Sequence, residues 1–264
     1  MFRGLRGLAC VRARNFAAHF NGTSNMNTQS NRVANQQADS GNTQAEAAQY
    51  ALLRRLAPVI RHNMAGSLQP IAMVAGMLER RLQKPETAPE ALLKNARDIV
   101  ALSKEAAASC MSLMGWFAPK EDPLVAASKG VAECLDMIAT ELSFRSFSIT
   151  NNTSQAEGEI SLTALRNVFT AAVIALTDAT ATPHEIVVEA ESSDGTVSIR
   201  VSLKKTNAPA SLPGSKPYRR IEWRDVQALA GTLVRLSHTE DEVVMAFPSA
   251  TQNAPQDVSM AGQA

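Results

Sequence analysis

The chain has 264 residues, enough for one large domain or two small ones. Apolar residues make up 45% and charged residues 19%, which excludes disorder of the whole chain, and an aromatic content of only 5% favours packed helices over a β-sandwich. The net charge is +1, yet residues 1–38 hold five arginines (Arg3, Arg6, Arg12, Arg14, Arg32) and no acid, so the remainder stands at −4 and general nucleic-acid binding is disfavoured.

The start, Met1 to Phe20, has the composition of a transit peptide but not the apolar core of a secretory signal; we expect a disordered leader, or sequence upstream of a start at Met26. Residues 21–44, dense in Asn, Gln, Ser and Thr, continue that disorder, giving a leader over 1–44. From Gln44 to Gln83 apolar residues recur at helical spacing: Leu53, Leu56, Ile60, Met64, Leu68, Ile71, Ala75, Leu78, Leu82. Pro58 and Pro70 fall inside this helix and should bend it without ending it, because the period continues past both. Lys84-Pro85 breaks it, and Thr87 with Glu90 spells a capping box for a second helix reaching Phe117. Two long helices with a short loop form an antiparallel hairpin, 45–119. One hairpin cannot cover both sides of its seam, so a homodimer closing a four-helix bundle is expected. Met64, Met73, Met77, Met111 and Met114 sit at core spacing and read as gap-fillers.

After a linker at Pro119–Pro123 the pattern changes. A helix over Ser128–Phe144, a strand near Phe147–Thr150, and a helix Leu162–Asp178 capped by Ser161 come first. A hairpin with alternating Ile186, Val188, Ala190 and Val197, Ile199, Val201, Leu203 turns at Ser193-Asp194-Gly195. A loop rich in Pro and basic residues leads into a helix over Arg224–Leu236 and a strand over Val243–Phe247; the tail, 249–264, reads as disordered. The fold class is therefore a helical hairpin followed by a two-layer α/β sandwich, 124–248. Lys204, Lys205, Lys216, Arg219 and Arg220 in the loop read as a solvated face, not a nucleic-acid patch. The cysteines Cys10, Cys110 and Cys134 have no Cys or His at ligand spacing; with no apolar run of spanning length, a reducing, cytoplasmic setting fits best and no membrane span is expected.

One run stands out on the first helix: Arg61-His62-Asn63-Met64-Ala65-Gly66-Ser67-Leu68-Gln69-Pro70-Ile71. His62 lies about 200° round the helix from both Ile60 and Met64, so it turns away from the apolar seam. Around it Pro58, Val59, Ala65 and Gly66 are low in profile, leaving an imidazole that another protein can reach. The remaining histidines, His19, His184 and His238, have no partner groups nearby in the sequence and receive no role.

A histidine-bearing hairpin followed by this α/β layer resembles the core of sensor histidine kinases, whose ATP-binding domain is of the gyrase/Hsp90/kinase/MutL type. The resemblance covers about residues 45–248. In the family's phosphoacceptor box an acid follows the histidine, an Arg or Asn stands two further on, and a Pro-Leu closes it; here Asn63, Ala65 and Ser67 occupy those places. Leu165–Ala179 resembles the helix that carries the family's magnesium-binding Asn, but that position is Ala175. The adenine-reading Asp of an Asp-x-Gly-x-Gly box falls on Leu203, with no glycine before Gly214, and Asp225–Gly231 lacks the Gly-x-Gly that admits phosphates. The resemblance thus implies a histidine phosphotransferase built like a degenerate kinase. His62 would be the phosphoacceptor, and Arg61, Asn63, Ala65, Gly66 and Gln69 would dock response-regulator receiver domains. No cofactor or metal is expected in this chain, since the receiver would bring the magnesium. A non-catalytic dimeric adaptor accounts for the same losses, and an active histidine kinase is a third reading.

Overall fold

A computed structural model describes residues 24–117, 121–180, 184–206 and 219–250, with side chains from residue 41 onward. The chain divides into two compact units, Met1–Asn42 and Thr43–Ala264. In the first, the described residues are helical backbone from Ser24 onward; all that follows concerns the second.

The first helix, α1, spans Ser24–Leu82 and passes through Pro58 and Pro70 as its period demanded. Its described backbone starts at Ser24, within the stretch 1–44 expected as a disordered leader. A formed helix adds residues one hydrogen bond at a time without a new nucleus, and no proline interrupts this polar stretch. Residues 1–23 and 251–264 lie outside the described residues, as does most of the basic loop, 207–218. The second helix, α2, is Pro89–Phe117. Thr87 does not make the expected capping box. Its hydroxyl turns back and donates to the Arg81 carbonyl at 2.8 Å, closing the end of α1 instead. Arg81 in turn donates to Oδ1 of the buried Asn95 at 2.8 Å, which ties the hairpin tip.

The α/β layer opens with a short strand the sequence did not signal, β1 (Leu124–Ala126), and continues through α3 (Ala127–Phe144) and β2 (Ser148–Asn152). Strand β3 (Glu159–Ser161) pairs antiparallel with β1. Ser161 then caps α4, Leu162–Ala179, as expected: its Oγ accepts from the Ala164 amide at 2.9 Å, and its hydroxyl donates to Asp122 at 2.6 Å. A π-helical turn over Leu165–Phe169 widens α4, burying Leu165, Val168 and Phe169 while Arg166 reaches outward. By length and apolarity α4 could cross a bilayer, but most of it is buried in this core.

Strands β4 (His184–Ser193) and β5 (Thr196–Lys205) form the expected hairpin, with Asp194 and Gly195 both at positive φ, 45° and 71°, as a tight primed turn requires. Helix α5 is Trp223–Ala230, shorter than its pattern suggested, because Gly231 turns the chain at φ 53° and frees Arg235–His238 to form β6. Strand β7, Glu242–Pro248, completes a sheet of order β2-β4-β5-β7-β6, in which β2 and β4 run parallel and the other pairs antiparallel. Alternate residues of β5 and β7 are buried, so the helices cover one face.

The hairpin base joins this core. Leu52, Leu56, Val59, Leu113 and Trp116 share one hydrophobic cluster with residues of α3, α4 and the sheet. Higher up, the methionines depart from expectation: Met64, Met73, Met77, Met111 and Met114 are all exposed in the single chain, Met111 by 70%. A helix with one partner buries one stripe, and these residues lie off it.

Gly130 on α3 tests how tightly the α/β core is packed. A Cβ there would stand 2.5 Å from Leu165 Cδ2 and 2.9 Å from Val125 Cγ1. Gly130→Ala should therefore lower stability by about 1–3 kcal/mol through overpacking, against a helix-propensity gain of about 1 kcal/mol. Urea denaturation measures the net; a more stable variant would show that Leu165 and Val125 can give way.

Candidate functional site

The site expected from sequence is a surface, not a cleft. His62, Arg61, Ala65, Gly66 and Gln69 are all exposed on α1, and Asn63 is half-buried. Helix α2 lies on the other side. Ser67 shows the division, with its hydroxyl 3.0 Å from the Asn63 carbonyl and 3.2 Å from Ser109 Oγ across the hairpin. A Cβ on Gly66 would meet no atom within 4 Å, so the clearing beside His62 is open. Among the described residues none hydrogen-bonds the imidazole, and none is placed to serve it as a general base. Its chemistry is that of an accessible nitrogen nucleophile whose electrophile must come from outside.

The two positions at which the resemblance places a metal ligand and an adenine ligand are apolar and buried. Ala175 is 4% exposed and Leu203 8%, and both belong to the hydrophobic core. Neither offers an oxygen to a metal or an adenine. At the N-terminus of α5, where phosphates would need free amides, the chain satisfies itself. Glu222 and Asp225 form a reciprocal capping box, Asp225 Oδ2 accepting from the Glu222 amide at 3.0 Å. Arg219 grips the same carboxylate with two bonds of 2.6 and 3.0 Å. Burial alone would raise the Asp225 pKa, but the Arg219 and Glu222 bonds outweigh it and hold the carboxyl below its ordinary value. An incoming phosphate would meet two carboxylates and amides already engaged.

Where α4 and β5 end and α5 begins, an open cavity of about 720 Å³ is lined by His184, Lys205, Trp223, His238, Glu240 and Asp241 among others. Trp223 and His238 stack across it, 4.0 Å apart and 9° from parallel. Charges of both signs, Lys205 against Glu240 and Asp241, border it. Among the described residues, no group of three or more His, Cys, Asp and Glu is placed to hold a metal.

Sequence reasoning missed the charged junction below His62. Arg55 of α1 contacts Glu141 of α3 and, at 3.1 Å, Asp178 of α4. Arg145 bonds Asp178 at 3.0 Å and the Thr177 carbonyl at 2.7 Å, with its guanidinium 5.2 Å over the Phe147 ring. Burial pushes the Glu141 pKa up, and Arg55 and Arg145 counter that only in part. On the α2 side Arg166 bonds Glu133 at 3.0 Å and lies 5.2 Å over Trp116. Partners 86 and 123 residues apart leave no local signal; the one available hint was the Arg54-Arg55 pair between Leu53 and Leu56.

No family model matches the chain, and no curated protein matches it. Solved structures do resemble it. The Acinetobacter baumannii histidine kinase AdeS aligns over 69% of this chain and 98% of its own, with 12% identity and a TM-score of 0.36. A histidine kinase from Burkholderia phymatum STM815 aligns over 74% and 97%, with 13% identity and a TM-score of 0.37. The catalytic domain of the histidine kinase ThkA aligns over 49% and 96%, with 9% identity and a TM-score of 0.37.

Two measurements follow from these residues. Titration with Mg-ATP by calorimetry should give no dissociation constant tighter than about 100 µM, or about −5.5 kcal/mol. Asp225→Asn, which breaks the arginine fork, should cost about 1–2 kcal/mol near neutral pH. Because the folded carboxyl titrates below its ordinary value of 3.8, its stabilisation is present above that pH and is lost as pH falls through the folded pKa. The acid limb of a pH–melting curve should therefore flatten in the variant.

Proposed function

We propose that this chain is a two-component signalling protein acting as a histidine phosphotransferase without ATP. The observation that supports the reading is a pairing of opposites: His62 stands exposed and uncrowded on its helix, while the positions that would hold a nucleotide's metal and adenine are the buried Ala175 and Leu203 and the last helix caps itself. A kinase needs both halves; a relay needs only the first. In the step proposed, a ring nitrogen of His62 attacks the phosphorus of an aspartyl phosphate on a receiver domain. The N–P bond forms as the bond to the aspartate oxygen breaks, and the carboxylate leaves. Reversal onto a second receiver completes the relay. Arg61, Asn63, Ala65, Gly66 and Gln69 surround the nitrogen and form the docking face in this reading.

The same proposal includes a homodimer through the upper hairpin. Met64 and Leu68 on α1, and Leu93, Val100, Met111 and Met114 on α2, are exposed apolar residues at helical spacing on faces flanking the hairpin contact. A second copy of the same face would cover them and close a four-helix bundle. Val100→Asp leaves the hairpin's own contacts untouched but places a charge on that stripe. Light scattering should show a dimer for the wild type and about 28.3 kDa for the variant; a monomeric wild type would remove this part of the proposal.

The relay itself is tested by mixing the protein with a receiver carrying radioactive aspartyl phosphate. Wild type should gain acid-labile label, and His62→Gln should gain none while its melting temperature stays nearly unchanged, as for other exposed substitutions. Gly66→Arg should block transfer by bulk and gain up to about 1 kcal/mol of helix stability. If His62→Gln still accepts label, the carrier lies elsewhere. If no receiver labels the wild type, the fold serves as a dimeric adaptor that binds regulators without chemistry.

A further inference from the structure

The charged junction has a consequence for how the two halves of the molecule move. Four ionisable groups from three helices and the turn after α3 alternate in sign around one point: Arg55, Glu141, Arg145 and Asp178. They are largely withdrawn from water, with the Arg55 side chain 11% exposed and that of Asp178 8%. Arg55 is the one member on the hairpin; the other three belong to the α/β layer. A second polar contact lies on the other hairpin helix, where Arg166 is held by Glu133 and covers Trp116. There a Cβ on Gly115 would come within 2.9 Å of the Arg166 guanidinium, so the backbone of α2 approaches closely. Between the two contacts Leu52, Leu56, Val59, Leu113 and Trp116 merge with the α/β core.

We infer that these two contacts clamp the α/β layer onto the hairpin, making the pair one rigid body whose position relative to His62 is set by Arg55. Sliding the halves past each other while they remain in contact would leave Glu141 and Asp178 buried without Arg55, so the charges select one docking geometry, even though full separation would return them to water. His62 is seven residues beyond Arg55, about 10.5 Å along α1 and within about 20° of the same face. The clamp therefore sits two turns beneath the histidine, on its side of the helix. A protein reaching His62 meets the hairpin and the α/β layer together at a fixed separation. This last step rests on the proposed function; the clamp itself does not.

The experiment measures distance and reads no phosphate, so it can fail independently of the relay. In the full chain with Cys10→Ser, Cys110→Ser and Cys134→Ala, spin labels go on cysteines replacing the exposed Met73 of α1 and Glu191 of β4. Labelled chains are diluted with unlabelled ones so that only distances within a chain register. The parent should give one narrow distance distribution by pulsed electron resonance. Arg55→Glu, which faces two carboxylates with a third, should broaden it and add longer distances. Should that variant fail to fold, Arg55→Gln keeps the length, removes the charge, and should broaden the distribution to a lesser degree. A broad distribution in the parent would overturn the clamp, as would an unchanged narrow one in a folded Arg55 variant.

Discussion

A helix that has one partner can bury one stripe of its surface, and everything else about α1 follows from how its other sides are used. The stripe through Ile60 and Val74 packs on α2. The base of the helix is then covered a second time, by the α/β layer, through Leu52, Leu56 and Val59 and the ions around Arg55. Above that base the α/β layer no longer covers it, and Met64 and Leu68 remain exposed to one side. His62 occupies the first stretch of helix past the covered base, on the same side as Arg55. Its accessibility is thus a product of where the α/β layer ends, not of the polarity of its neighbours alone.

The α/β layer separates two properties that travel together in an ATP-binding domain, its frame and its chemistry. The frame depends on apolar residues at the right period: Val131, Leu135 and Ile138 on α3, Leu165, Phe169 and Leu176 on α4, and the alternating rows of β5 and β7. Ala175 and Leu203 belong to the same core, where a polar side chain without a partner would be unfavourable. The amides at the start of α5 need acceptors within the chain. Glu222 and Asp225 provide them, with Arg219 balancing the charge.

The ion cluster at the junction illustrates why buried charge is weak as glue yet strong as a specifier. Burial shifts Glu141 toward its neutral form despite two arginines beside it, so the cluster adds less than its geometry suggests. It nevertheless discriminates among ways of docking the two halves, because few arrangements pair all four groups. The apolar surface around it would tolerate sliding; the charges do not.

The sequence by itself determined the elements whose pattern is local. The period of α1 carried it correctly through Pro58 and Pro70, the alternation and Asp194-Gly195 turn defined the β4–β5 hairpin, and Ser161 marked the start of α4. The turn of His62 away from Ile60 was local as well, although its accessibility also needed the α/β layer to end below it. Tertiary structure alone decided what depends on distant partners. Three-residue strands such as β1 and β3 carry no period and exist because each pairs with the other. The methionines have core spacing, yet only the number of helices actually present decides whether a stripe is buried. Gly231 stopped α5 where the apolar pattern ran on, since Leu236 belongs to a strand paired with β7. The charges of Arg55, Glu141 and Asp178 look like ordinary surface ions in the sequence, and they become a junction only when the fold brings three helices to one point and removes the water.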